Sequence, residues 1–170
     1  MQQELEARTG ALEASIKALQ TKIDMLEDIE EIKKLMATYT YSLDYGELGK
    51  LLDCFADDAQ MEVGVRDGRE APFVGKYSDK KAIESLYGGI MEQFPEPSER
   101  FVVAHLIQNE VVEVEGNKAS GTFYLLEAGA PPPEGGQVSW IQGRYDNQFV
   151  KVDGRWKISF FGFTFNLIPG

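Results

Sequence analysis

The chain has one cysteine, Cys54, and one histidine, His105, among its 170 residues. A lone cysteine excludes a disulfide framework and cysteine-based zinc sites, and a lone histidine excludes a metal centre built on several imidazoles. Positive charge is scarce as well: 17 Lys and Arg against 28 Asp and Glu give a net charge of −11. Nucleic acid and anionic membrane surfaces are therefore poor partners, because both need clustered basic residues. No apolar run is long enough to span a bilayer, and the polar, acidic N-terminus lacks the apolar core of a signal peptide, so a cytoplasmic location is expected. The phosphate-cradling patterns GxGxxG and GxxxxGK[ST] are absent, and no serine stands in a nucleophile-elbow context. The neighbouring carboxylates Asp57 and Asp58 offer oxygen to a hard cation but read as a solvated turn. No cofactor and no metal are expected, and any enzymatic chemistry is expected to be side-chain chemistry alone.

What is present is enough apolar material, 43% of residues, for a sizeable core in one domain with an appendage. The appendage is residues 1–27. Leu5, Leu12, Leu19 and Leu26 recur every seven residues, and Ile16 and Ile23 fall between them. Ile at a and Leu at d lean towards a two-stranded coiled coil, although Thr9 and Gly10 weaken the first heptad. The alternative is an amphipathic helix packed on its own domain.

Residues 28–170 form the domain proper. A second apolar stripe, Ile29, Ile32, Leu35, Met36 and Tyr39, runs in a different phase. Asp28 with Glu31 has capping-box spacing, so a helix break at Leu26–Asp28 is one expectation. Tyr45–Gly46 ends this helix, a short helix covers Glu47–Phe55, and a strand follows at Gln60–Val65. Phe73–Gly75 is a possible short strand, and Ser78 is the expected cap of a helix over Asp79–Phe94 that Pro95 and Pro97 stop. From Phe101 the apolar period changes to two. Four strands are predicted at Phe101–Glu115, Lys118–Glu127, Val138–Val152 and Arg155–Leu167, with tight turns at Gly116-Asn117 and Asp153-Gly154. Helices followed by a long antiparallel run give an α+β fold: a curved, mixed or antiparallel sheet with helices on its concave side, enclosing a cavity.

The order of these elements, with the phrases IEEIKKLMATYTYSLDYGELGKLLDCFADDAQMEV, NKASGTFYLLE and YDNQFVKVDGRWKISFFGF, resembles the SnoaL-like branch of the nuclear transport factor two–like superfamily. That branch resembles scytalone dehydratase, bile acid 7α-dehydratase, hexachlorocyclohexane dehydrochlorinase and the ketosteroid isomerases. The resemblance covers about Asp28 to Phe165 and implies a cone-shaped α+β barrel. It also implies an Asp–His pair. The Asp at the end of the first helix falls on Asp44 in SLDYGE, and the His early in the first long strand falls on His105 in VVAHLIQ. A tyrosine five residues before the Asp falls on Tyr39, and an acidic residue late in the next strand falls on Glu127. Scytalone dehydratase uses a second histidine, which this chain lacks, so its mechanism does not transfer intact. The relatives are often dimers or trimers joined through the open sheet face, so the resemblance implies a homo-oligomer.

The chemistry of such a pair stands without the resemblance. Imidazole titrates near neutrality and can take and return a proton. A carboxylate on one ring nitrogen fixes the tautomer and leaves the other nitrogen to act as base. The expectation is therefore a dehydratase or related lyase acting on an apolar, ring-containing molecule. His105 is the base, Asp44 orients it and Tyr39 polarises the substrate. Tyr41, Glu127, Trp140, Phe123 and Phe163 are candidate substrate contacts. Structural readings stand beside these. A strand histidine is commonly structural, Tyr39 continues a core stripe, and Glu127 suits a solvated strand end. Alternative functions on the same frame are an isomerase or polyketide cyclase, a non-catalytic binding module, and the scaffold subunit of a ring-hydroxylating dioxygenase.

Overall fold

A single helix, α1 (Gln2–Asp44), carries both apolar stripes without interruption. The computed structural model describes residues 1–68, 70–71, 73–92, 102–130 and 138–167. The expected break at Leu26–Asp28 does not occur. That stretch has neither Pro nor Gly, and Asp28 leaves the helix sideways instead of capping it. Its carboxylate accepts hydrogen bonds from Lys151 Nζ at 2.5 Å and Trp156 Nε1 at 2.8 Å. The two stripes face different ways. Ile32, Met36 and Tyr39 are buried, whereas Leu5, Leu12, Ile16, Leu19, Ile23 and Leu26 are between 48% and 66% exposed. The heptad stripe is thus not packed on its own domain. The helix ends at Tyr45, and Gly46 (φ 67°) takes the left-handed conformation that glycine adopts without steric cost.

The remaining elements are α2 (Leu48–Asp53), β1 (Phe55–Val65), β2 (Gly75–Tyr77), α3 (Lys80–Glu92), β3 (Val102–Glu115), β4 (Lys118–Ala130), β5 (Ser139–Val152) and β6 (Arg155–Leu167). Several bounds differ from expectation. β1 starts five residues earlier, so Asp57 and Asp58 lie on a strand and not in a turn. The short strand is Gly75–Tyr77. Asp79, not Ser78, caps α3, its Oδ1 accepting the Ala82 N–H at 2.8 Å. The expected ends of α3 and β3 at Phe94 and Phe101, Pro95 and Pro97 among them, lie outside the described residues.

The strands form one curved, unclosed sheet in the order β2-β1-β6-β5-β4-β3. β3 through β6 is an antiparallel meander, and β1 joins β6 in parallel. The meander follows from its turns. Gly116 has φ 59°, and Asp153 and Gly154 have φ 49° and 77°, the conformations that tight hairpins require. The second half of α1 and α3 cover the concave face. Phe55, Ile83, Tyr145, Phe149, Ile158 and Phe161 are buried between the layers.

One irregularity sets the phase of the site. β3 bulges between Gln108 and Val111, with Asn109 at φ 54°. Before the bulge Val103, His105 and Ile107 are the more buried set; after it, Val112 and Val114 are. The extra residue turns His105 onto the concave face while the far end of the strand keeps its own apolar side inward. No helix is long and apolar enough to cross a membrane among the described residues.

Candidate functional site

Asp44 is the last residue of α1 and His105 lies in β3, 61 positions away. The structure brings them into direct contact. His105 Nδ1 meets Asp44 Oδ1, and the other carboxylate oxygen accepts the backbone N–H of His105 at 3.3 Å. The carboxylate therefore holds both the ring and the strand that carries it. Glu127 stands directly opposite His105 in the β3–β4 register, with Oε2 3.4 Å from Nε2. The ring is thus flanked by a carboxylate on each side. All three side chains are largely buried, with 10% of His105, 12% of Asp44 and 19% of Glu127 exposed.

Two opposing effects set the charge of His105. Burial disfavours the imidazolium, but the bonds to Asp44 and Glu127 outweigh it and raise the pKa from 6.5 to about 9. The ring is therefore protonated at neutral pH.

The three side chains border an apolar cavity of about 260 Å³. Its other walls include Tyr39, Tyr87, Tyr145, Phe161 and Phe163. The Tyr39 hydroxyl is 2.6 Å from that of Tyr87. Burial first, then the neighbouring tyrosines, push the pKa of Tyr39 well above its usual value; burial, then Tyr87 and the two carboxylates, do the same for Tyr145. Both phenols stay neutral and so remain hydrogen-bond donors. Tyr39 and Asp44 lie on different faces of α1, yet both reach the cavity because the helix ends at its mouth. On the other side of the Asp44–His105 contact lies an open groove of about 790 Å³ between α1 and β3. Asp44, His105 and Val103 border both spaces and form the wall between them.

The structure separates the other candidate contacts. Phe163 lines the inner cavity, as do Tyr39 and Glu127. Tyr41 does not: two residues from Tyr39 on a helix, it is 64% exposed and faces the outer groove. Trp140 is 49% exposed, because strand alternation puts Ile141, Gly143 and Tyr145 inward and Trp140 outward. Phe123 is buried against Phe149 in the core and borders the outer groove. Sequence reasoning assigned Tyr87 and Tyr145 no role at the site. Tyr87 is buried with Ile83 on one face of α3, and Tyr145 is one inward position of β5, so neither stands out as a letter in the sequence. Among the described residues no three His, Cys, Asp or Glu side chains are arranged to hold a metal ion.

Among solved structures, a hexachlorocyclohexane dehydrochlorinase of type 3 from Novosphingobium barchaimii is 23% identical, with 87% of this chain and 92% of that one covered and a TM-score of 0.67. A protein described as a candidate scytalone dehydratase from Novosphingobium aromaticivorans is 21% identical, covering 85% and 87%, with a TM-score of 0.68. An NTF2-like protein with a cystatin-like fold from the same organism is 20% identical, covering 86% and 87%, with a TM-score of 0.65. At these identities the likeness is one of fold. No curated protein matches the sequence. The profile of the SnoaL-like domain matches residues 24–161, and the chain belongs to the SnoaL-like domain family.

Proposed function

We propose that the protein is a cofactor-independent lyase that eliminates water, or a comparable leaving group, from an apolar ring-containing small molecule. The observation that carries this reading is the Asp44–His105–Glu127 cluster at the wall of an apolar cavity. Asp44 occupies Nδ1, so only Nε2 exchanges a proton with the cavity. In the neutral form of the ring, which becomes populated as the pH rises towards 9, Nε2 takes the proton from a carbon next to a carbonyl. The C–H electron pair becomes a C=C bond, the C–O bond breaks, and the β-hydroxyl takes the proton now on Nε2 and departs as water. Tyr39 and Tyr145, both neutral donors, stabilise the charge that develops on the carbonyl oxygen. The substrate enters between Nε2 and Glu127, whose 3.4 Å separation is already loose for a hydrogen bond. The volume of about 260 Å³ lies just below the usual ~300–1,000 Å³ of ligand pockets and suits one or two rings. The working form is a homo-oligomer in the cytoplasm. Isomerisation or cyclisation would use the same proton transfer without loss of water.

The test is turnover of a panel of cyclic β-hydroxy ketones, followed by the ultraviolet absorbance of the conjugated product. His105→Ala is expected to lower kcat/KM by at least ~10²-fold. Because the free ring has a pKa of about 9, kcat/KM of the native protein should rise with pH up to that value. A profile that instead falls above pH 9 would make His105 the acid and Glu127 the base. Ligand binding without turnover in the native protein, unchanged in His105→Ala, would sink the lyase and leave a binding or scaffold module.

A further inference from the structure

We propose that residues 2–27 of α1 pair with the same segment of a second copy as a parallel, in-register, two-stranded coiled coil. The seam is an exposed apolar stripe: Leu5, Leu12, Leu19 and Leu26 at d, Ile16 and Ile23 at a, all 48–66% exposed. β-Branched residues at a with Leu at d favour two strands over three or four.

The flanking charges choose the partner and its direction. The g positions are Arg8, Ser15 and Lys22; the e positions are Glu6, Glu13, Gln20 and Glu27. In a parallel pair each g residue faces the e residue of the next heptad on the other strand. Arg8 then meets Glu13 of the partner subunit, and Lys22 meets Glu27 of the partner subunit, with Ser15 opposite a neutral glutamine. Antiparallel pairing sets e against e and g against g, which brings Glu6 towards Glu27 of the partner subunit and leaves Arg8 and Lys22 without an acidic partner. Like charges in those positions are a penalty against that arrangement. Among the described residues no intrachain ion pair engages Arg8, Glu13, Lys22 or Glu27, so these charges are available to a partner.

The fold leaves room for the partner. At about 100° per residue, the seam at Ile23 and Leu26 lies about 140° around the helix from the core stripe Ile32–Met36–Tyr39. One face of α1 serves the partner and the other serves its own sheet. The seam stops where the domain starts, because Glu30 and Lys33 occupy the next a and d positions and Lys33 pairs with Glu30 and Glu110.

The measurement is the mass of the full chain by light scattering, with two substituted forms. The native protein is expected at twice the 19.0 kDa chain mass. The exposed double substitution Ile16→Asp, Leu19→Asp should reduce it to one chain with its circular dichroism otherwise intact. Thr9→Cys, at an a position, should form a disulfide-linked dimer under copper-catalysed air oxidation. Parallel strands hold the two Thr9 Cα atoms within disulfide reach, whereas antiparallel strands place them far apart. A single-chain mass for the native protein, a mass that I16D/L19D leaves unchanged, or a Thr9→Cys dimer that stays reduced would each overturn the proposal. A native mass of three or four chains would overturn the two-stranded form.

Discussion

At the scale of single residues, the site is an electrostatic arrangement in which one imidazole is held between two carboxylates. Desolvation alone would keep His105 neutral, and Asp44 with Glu127 reverses that. Removing one partner exposes the balance. Asp44→Asn should bring the His105 pKa down from about 9, because the carboxamide cannot stabilise the imidazolium as the carboxylate does. An NMR titration reads this without ambiguity, since the chain has one histidine and therefore one imidazole signal. A pKa that stays near 9 in Asp44→Asn would mean that Glu127 alone holds the proton. Asp44, His105, Tyr39 and Glu127 can be singled out in the sequence, because acid–base types at a helix end and in a strand are visible as letters together with a family resemblance. Tyr87 and Tyr145 cannot, because a tyrosine on an apolar face looks the same whether it fills a core or borders a cavity. Trp140 is expected in the cavity wall but faces outward, because aromatic character carries no information about which side of a strand faces in.

At the scale of elements, two joints hold the site in place. The first is Asp28, which ties the middle of α1 to the β5–β6 hairpin through Lys151 and Trp156. Burial opposes its charge, and the two hydrogen bonds hold its carboxyl below the ordinary range. Asp28→Ala removes both bonds and leaves the indole N–H without its acceptor. We expect a loss of ~1–3 kcal/mol, read as a lower denaturant midpoint with an unchanged m-value. No loss would mean that solvent satisfies these donors equally well. The second joint is Gly143 in β5, opposite Phe165 in β6. A Cβ there would lie 2.3 Å from Cζ of Phe163, a cavity-wall ring. Gly143→Ala must displace that ring and should cost ~1–3 kcal/mol as well as reshape the cavity. Thermal unfolding together with ligand affinity would check it; an unshifted midpoint would show that Phe163 swings aside freely.

At the scale of the whole molecule, the raised pKa of His105 links its proton to folding. The ring binds its proton more tightly in the folded chain, so the stabilisation is complete below about pH 6.5, declines above it, and is gone above about pH 9. The unfolding temperature of the native protein should therefore fall between pH 6.5 and 9 more steeply than that of His105→Gln. Parallel profiles for the two proteins would show that the His105 charge is not coupled to stability. Over the same scale α1 joins two kinds of surface, an exposed heptad stripe and a buried core stripe, on one uninterrupted helix.

Local signals in the chain set the four long strands, their meander and the types of residue available for chemistry. Alternation with period two, the Gly116-Asn117 and Asp153-Gly154 turns, and heptad spacing are local signals, and local conformational preferences read them directly. Tertiary structure alone decided what depends on distant partners. The helix runs through Asp28 because that carboxylate has Lys151 and Trp156 to bind, more than 120 positions away. β1 lies parallel to β6 because a strand's neighbour is set by which sheet edge remains to be covered, and no spacing in the chain encodes that. His105 faces the cavity because the bulge at Asn109 shifts the pleat by one residue, and a bulge is invisible in a run where apolar and polar residues already alternate irregularly. The contact between Asp44 and His105, and the charge that it and Glu127 place on the ring, exist only once helix end and strand are packed together.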